Sequence, residues 1–334
     1  MRIITFFTKV LHYLPGEISH HIALQGLKML YLLGLFRVFQ LDNKLYSSVK
    51  QRDITKMSDE VGIAAGLDKN GDYIDCLAAL GISFIEVGTV TPRPQKGNPK
   101  PRIFRNVNDK SLLNRLGFNN KGVDYLVNRL KKRQTSIFVG VSIGKNFDTP
   151  NDKASDDYIY CLKRVYEFSD YIAINISSPN TESLRDLSSE ENLNCLLQKI
   201  KDEHKLLSSF YGHKPIFVKI SPDESLKNLK SICESILLNN IDGIICSNTT
   251  IDHDNENGLG GLSGAPLKTK SNAALEKIKL LVGDRLTIMA SGGVMTPSDY
   301  LEKLDKGANL VQIYTGFIFE GPKLIKDILN LKSP

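Results

Sequence analysis

The residues best suited to chemistry stand at the ends of short apolar runs. In chain order they are Asp68-Lys69-Asn70, Gly88-Thr89, Lys145-Asn146, the stretch Asn175 to Thr181, Lys219, Ser247-Asn248-Thr249-Thr250, Ser291-Gly292-Gly293 and Tyr314-Thr315-Gly316. These are amides, hydroxyls, lysines and glycines: groups that orient a polar ligand and hold an anion, but weak acids and bases. The six histidines (12, 20, 21, 204, 213 and 253) fall elsewhere, so a Ser-His-Asp hydrolase has no base. There is no HExxH motif and no carboxylate cluster, so no metal site is expected. Only Asp68 and Glu86 are acids near these positions, and Glu86 lies inside its run, which disfavours a paired-carboxylate glycosidase. A bound organic cofactor is therefore expected to supply the hard step.

The elements that must position these groups are the runs themselves: 61–66, 84–88, 137–144, 171–176, 215–220, 242–248, 286–293 and 310–316. They are almost continuously apolar, the mark of parallel strands buried on both faces. Segments with helical spacing fill the gaps, at 122–133, 156–167, 191–208, 224–238, 272–282 and 297–306. Eight such units predict an α/β fold, the (β/α)8 TIM barrel, whose chemistry sits at the C-terminal ends of the strands. An open doubly wound sheet is the alternative, but no GxGxxG follows the first run.

On a barrel, the glycine turns at 292–293 and 314–316 follow strands seven and eight, where backbone N–H groups commonly hold a phosphate. The GLSG segment at 261–264 reads as a further turn at that site. Flavin mononucleotide (FMN) fits this arrangement, with its phosphate there and its ring over the mouth. Lys219 then lies where a cation would stabilise an anionic reduced ring, the alternative being a partly buried lysine paired with an acid. Lys69 reads as a clamp for an anionic substrate, or as an ordinary loop lysine.

Length and composition agree with a folded, mostly soluble chain of 334 residues, 41% hydrophobic and 24% charged. A net charge of +6 over this length does not suggest a nucleic-acid partner. The five cysteines are odd in number with no CxxC pair, arguing against a disulfide framework. Much of the positive charge is concentrated near the start, where six basic residues stand against Glu17 and Asp42 in the first 50. The same stretch holds apolar runs from Ile3 to Leu11 and from Ile22 to Phe39, divided at Pro15-Gly16. Two short amphipathic helices are predicted, either docked on the protein's own core or lying in a membrane interface. Gln25, Lys28 and Arg37 interrupt the second run and disfavour a spanning helix.

Several blocks then appear in order over nearly the whole chain: AAGLDKNG (64–71), EVGTVTPRPQKGNPKPRIFR (86–105), NRLGFNN (114–120), INISSPNT (174–181) and SNTT (247–250). They continue with GGLSG (260–264), SGGV (291–294) and LVQIYTGFIFEGP (310–322). Together they resemble the dihydroorotate dehydrogenases. The resemblance implies oxidation of (S)-dihydroorotate to orotate in pyrimidine synthesis, with FMN as hydride carrier. In this family the quinone-linked class places a serine base where the soluble class has a cysteine, and Ser178 occupies that position. The amphipathic N-terminal pair marks the same class, which implies ubiquinone or menaquinone as acceptor. A soluble fumarate- or NAD-linked enzyme, or a non-redox phosphate-binding barrel, are the rival readings.

By matching position, the resemblance implies flavin contacts at Ala65, Gly66, Leu67, Asp68, Lys69, Thr89, Ser142, Asn175, Lys219, Ser247, Gly264, Gly293, Tyr314 and Thr315. It implies substrate contacts at Lys69, Asn114, Arg115, Leu116, Gly117, Phe118, Asn180, Asn248 and Thr249. The family often has asparagine in place of Ser142, and it usually carries Asn-Pro where this chain reads Met57-Ser58-Asp59-Glu60. Ser178 needs somewhere to pass its proton, and a water relay with Thr181 is the expected route. Residues 1–45 are expected to form a membrane-associating, quinone-tunnel segment and residues 46–334 the catalytic barrel. Lacking an evident transit segment, the protein is expected on the cytoplasmic face of a bacterial inner membrane, as a peripheral protein.

Overall fold

The structure is a computed structural model that describes residues 2–38, 53–181 and 184–331. The boundary expected at residues 45–46, and the end of the second apolar run at Phe39, lie outside the described residues.

Eight strands close into a parallel barrel: β1 (Glu60–Ile63), β2 (Phe84–Val90), β5 (Phe138–Ile143), β6 (Tyr171–Asn175), β7 (Ile216–Ile220), β8 (Gly243–Cys246), β10 (Thr287–Ser291) and β11 (Leu310–Ile313). β11 pairs with β1, with Glu60 opposite Leu310, and completes the ring. Around it lie α3 (Ile74–Ala78), α4 (Val123–Leu130), α5 (Ala154–Val165), α6 (Glu190–Tyr211) and α7 (Leu226–Leu238). The outer layer is completed by α8 (Lys268–Val282), α9 (Pro297–Asp305), α10 (Thr315–Glu320) and α11 (Pro322–Asn330).

The two-residue repeat of a strand explains how the barrel is filled. Outward positions such as Val61, Ile85, Val139, Ile172, Val218, Ile244 and Val311 join one large core with the helices. Inward positions at the lower level are Phe84, Phe138, Tyr171, Phe217, Ile245, Met289 and Leu310, which pack on Ile54 into a separate plug. Room for the aromatic rings comes from small residues on neighbouring strands. A Cβ on Gly140 would lie 2.0 Å from the Tyr171 ring, and one on Gly62 2.5 Å from that of Phe84.

Two residues further along the same inward faces, the lumen turns polar. Glu86 follows Phe84, Lys219 follows Phe217, Ser291 follows Met289 and Gln312 follows Leu310. A barrel whose lower lumen is sealed by apolar side chains thus carries a polar floor just beneath its mouth.

Most strands stop short of the apolar runs that announced them. The run at 310–316 yields a strand only to Ile313, because Tyr314 begins the turn into α10. The GLSG segment is a correction: it is a strand, β9 (Gly261–Gly264), not a turn. It pairs antiparallel with β4 (Ser111–Asn114), which pairs in turn with β3 (Ile103–Asn106). With so few side chains to alternate, β9 has no readable strand pattern of its own, and its partner β4 supplies the order.

The N-terminal pair is present as α1 (Arg2–Leu11) and α2 (Gly16–Leu32), with Pro15 fixing the start of the second helix. That helix begins six residues before the expected apolar run, since the mainly polar stretch Glu17 to His21 extends it. Arg105 of β3 ties the pair down by donating to the carbonyls of Leu11, His12 and Leu14 and to Ser19 Oγ at 2.6 Å. Among the described residues no helix is long and apolar enough to cross a membrane.

Candidate active site at the barrel mouth

The C-terminal strand ends and the β4–β9 edge enclose a cleft of about 950 Å³, counting its open mouth. Of the expected site residues it is lined by Ala65, Gly66, Lys69, Thr89, Asn114, Leu116, Gly117, Phe118, Asn175, Ser178 and Asn180. Lys219, Ser247, Asn248, Thr249, Gly264, Gly293, Tyr314 and Thr315 complete the set. Four expected contacts do not line it. Leu67 is buried in the core, and Asp68 turns away to accept from the backbone N–H groups of Asp72 and Tyr73 at 2.9 and 2.7 Å. Burial lifts the Asp68 carboxyl to about 6, against the pull of those donors. Ser142 lies behind the wall, where its Oγ meets Thr89 Oγ1 at 2.9 Å. The Arg115 guanidinium stacks over the Phe104 ring, 4.8 Å from its centroid.

The amide and hydroxyl groups form a connected web rather than a set of free ends. Asn175 Nδ2 donates to Thr89 Oγ1 at 2.8 Å, and Asn248 Nδ2 donates to Ser177 Oγ at 3.1 Å. Asn180 Nδ2 donates to Asn114 Oδ1 at 3.0 Å, and Asn114 Nδ2 to the Gly261 carbonyl at 3.1 Å. Arg185 braces two loops from behind, donating to the carbonyls of Ser177 and Thr249 while paired with Asp223 at 3.1 Å. Such mutual bonding fixes side-chain rotamers before any ligand arrives.

Lys219 belongs to the polar floor. Its Nζ lies 3.4 Å from Glu86 Oε1, with both residues buried, and Gln312 Nε2 donates to Glu86 Oε2 at 2.8 Å. The lysine is paired with a buried acid and also lines the cleft. Gln312 is the chief residue missed in the sequence; an amide inside the run LVQIY was the available signal. Its Oε1 and the Thr249 Oγ1 are buried without a partner, two polar atoms on the cleft awaiting one.

Lys69 Nζ donates to Asn119 Oδ1 at 2.6 Å. Burial, helped by the neighbouring Arg102 cation and opposed by Glu17, brings its ammonium down to about 7. Ser178 is 6% exposed, and its Oγ accepts from the Asn180 N–H at 3.3 Å. Thr181 Oγ1 is likewise buried without a partner.

A second cavity of about 1440 Å³, again counting its mouth, opens between α1, α2 and the barrel. Its walls are chiefly apolar, with Phe7, Leu11, Ala23, Leu24, Leu27, Leu30 and Phe317 among them, and His12, His20 and Arg105 are among its polar residues. Burial brings His20 down to about 4, so it is neutral near pH 7. The two cavities meet along Asn114, Leu116, Ser263 and Tyr314, which line both.

A family profile described as Dihydroorotate dehydrogenase matches residues 52–332. A protein named dihydroorotate dehydrogenase (quinone) from Pectobacterium atrosepticum is 46% identical over 334 residues, covering 96% of this chain and 97% of its own. One of the same name from Aliivibrio fischeri strain MJ11 is 44% identical, covering 95% and 96%. Among solved structures, the ferulenol complex of the Eimeria tenella enzyme superposes with a TM-score of 0.81 at 32% identity, covering 94% of this chain and 89% of that one. The ligand-free Eimeria tenella form gives 0.80 at 34% identity, covering 93% and 95%.

Proposed function

The chain belongs to the dihydroorotate dehydrogenase family, and from that premise we propose that it oxidises (S)-dihydroorotate to orotate and delivers the electrons to a membrane quinone, with FMN held at the barrel mouth. The observation that carries this reading is the pair of cavities, one ringed by amide, hydroxyl and lysine side chains and one chiefly apolar, meeting along Asn114, Leu116, Ser263 and Tyr314. A polar substrate and a lipid-soluble acceptor have separate compartments, and a planar group at their junction serves both.

The cleft fits FMN on its own chemistry. Gln312 Oε1 and Thr249 Oγ1 are orphaned polar atoms there, and Lys219 brings a buried cation. Gly293 and Val294 together with Thr315 and Gly316, in the turns that follow β10 and β11, would hold the phosphate through backbone N–H groups. When bound, FMN supplies a two-electron acceptor that protein side chains lack.

The chain's own residues do the rest. Lys69 clamps the substrate carboxylate, and Asn114, Asn180, Asn248 and Thr249 match the N–H and C=O edges of the pyrimidine. Ser178 Oγ takes the C5 proton and passes it on through a water relay, in which the buried, unpartnered Thr181 Oγ1 takes part. Phe118 and Leu116 add apolar wall to the cleft and limit water there.

The N-terminal segment, residues 1–45, is the membrane-associating part and residues 46–334 the catalytic barrel. Tyr13, Ile18, Met29, Leu32 and Leu33 leave large apolar side chains exposed on α2 and its flanks, as a helix pair resting in a lipid interface would. On this reading the protein is peripheral to the membrane.

The test is acceptor choice. Orotate formation is followed by absorbance with a short-chain quinone, fumarate or NAD as sole oxidant. Turnover with quinone alone supports the proposal, whereas turnover with fumarate or NAD overturns its acceptor.

A further inference from the structure

Lys303 is 1% exposed on α9, outside both cavities. Among the described residues no carboxylate lies within ion-pair distance of it, although it carries a charge at pH 7. Desolvation brings its ammonium down only to about 8. Cys246, Glu302 and Asp299 act on it from beyond contact and oppose that fall, so the cost of burying the cation is offset only in part.

Its hydrogen bond points to the answer. Lys303 Nζ donates to Ser271 Oγ at 2.7 Å, and Ser271, fully buried on α8, shares its one hydroxyl proton between the carbonyls of Lys268 and Gly292, each 3.0 Å from that Oγ. Across a trans peptide the C=O of one residue and the N–H of the next point in opposite directions in one plane. Tying the Gly292 carbonyl back to α8 therefore aims the Gly293 N–H away from α8, to the side where Gly292 and Gly293 line the cleft. Both glycines have positive φ, 102° and 76°. A Cβ on Gly293 would lie 2.3 Å from Lys268 Cα, so the turn is packed hard against the start of α8.

We propose that Lys303 is a positioning residue for an anion at the Gly292–Gly293 turn: through Ser271 it fixes the peptide whose N–H faces the cleft, and its own buried charge is balanced by the phosphate held there. This rests on the reading that the turn receives the phosphate of FMN. It assigns the electrostatics of that site to a side chain that never touches the ligand.

The experiment compares FMN with riboflavin, which lacks the phosphate. The full-length chain is stripped of flavin and titrated with each, following the quenching of flavin fluorescence, for wild type, Lys303→Met and Ser271→Ala. Lys303→Met is expected to weaken FMN about ten- to hundredfold while changing riboflavin less than about twofold. Ser271→Ala, which retains the lysine, is expected to weaken FMN in the same sense and carries the test if the first variant does not fold. An equal loss for both ligands, or no loss for FMN, overturns the proposal. A wild-type protein that binds FMN no better than riboflavin overturns instead the reading of the turn as a phosphate site, and the proposal with it.

Discussion

Raising the pH from 6 to 8 is expected to weaken orotate binding to the oxidised holoenzyme about tenfold through Lys69. The lysine is held near 7 chiefly by burial, then by the Arg102 cation, with Glu17 opposing. An ammonium of that pKa is about ten-elevenths charged at pH 6 and about one-eleventh charged at pH 8. An anion binds the charged form, so affinity is level below about pH 7 and then falls tenfold per pH unit as each binding event must first take up a proton. The assay is a titration of the flavin visible band with orotate at half-unit steps of pH. Lys69→Arg, which stays charged throughout, is expected to flatten the dependence, and Lys69→Met to weaken binding at pH 6 most. A dissociation constant that does not change between pH 6 and 8.5, or a full slope retained in Lys69→Arg, would refute the reasoning.

Other consequences are as direct. Ser178→Ala is expected to slow substrate-driven bleaching of the flavin about 10²–10⁴-fold at unchanged flavin content, measured by stopped flow. Lys219→Met strands Glu86 in the floor without its cation and is expected to cost about 3–5 kcal/mol in denaturant unfolding, with much of it recovered when Glu86→Gln is added. Gly26 lines the apolar cavity, and a Cβ there meets no atom within 4 Å. Gly26→Leu should therefore fold normally and leave reduction by dihydroorotate intact while raising the KM for long-chain quinones; unchanged quinone kinetics would count against that cavity as the acceptor's site.

Much of this was legible in the sequence because barrels separate packing from chemistry along each strand. The continuous apolar runs gave the eight strands, and the polar residues that followed them gave the mouth. What was not legible arose where a residue's neighbour is distant in sequence. Glu86 looked like an acid stranded in a strand until Lys219 and Gln312 came round the barrel to meet it. Position alone did not distinguish Asp68 from Lys69, yet one caps the backbone of the following turn and the other lines the cleft. GLSG read as a turn because its strand character comes from pairing with β4, about 150 residues away in the chain. Lys303, in a helix with ordinary amphipathic spacing, gave no sign that its charge would be buried behind a glycine turn.

The central claim is that a flavin at the mouth joins a pyrimidine site to a quinone site, and one anaerobic spectrum tests it most directly. The purified protein should show a flavin band that bleaches on addition of one equivalent of dihydroorotate and returns on addition of one equivalent of quinone. A colourless protein that takes up no FMN, or a bound flavin that dihydroorotate leaves oxidised, would contradict it.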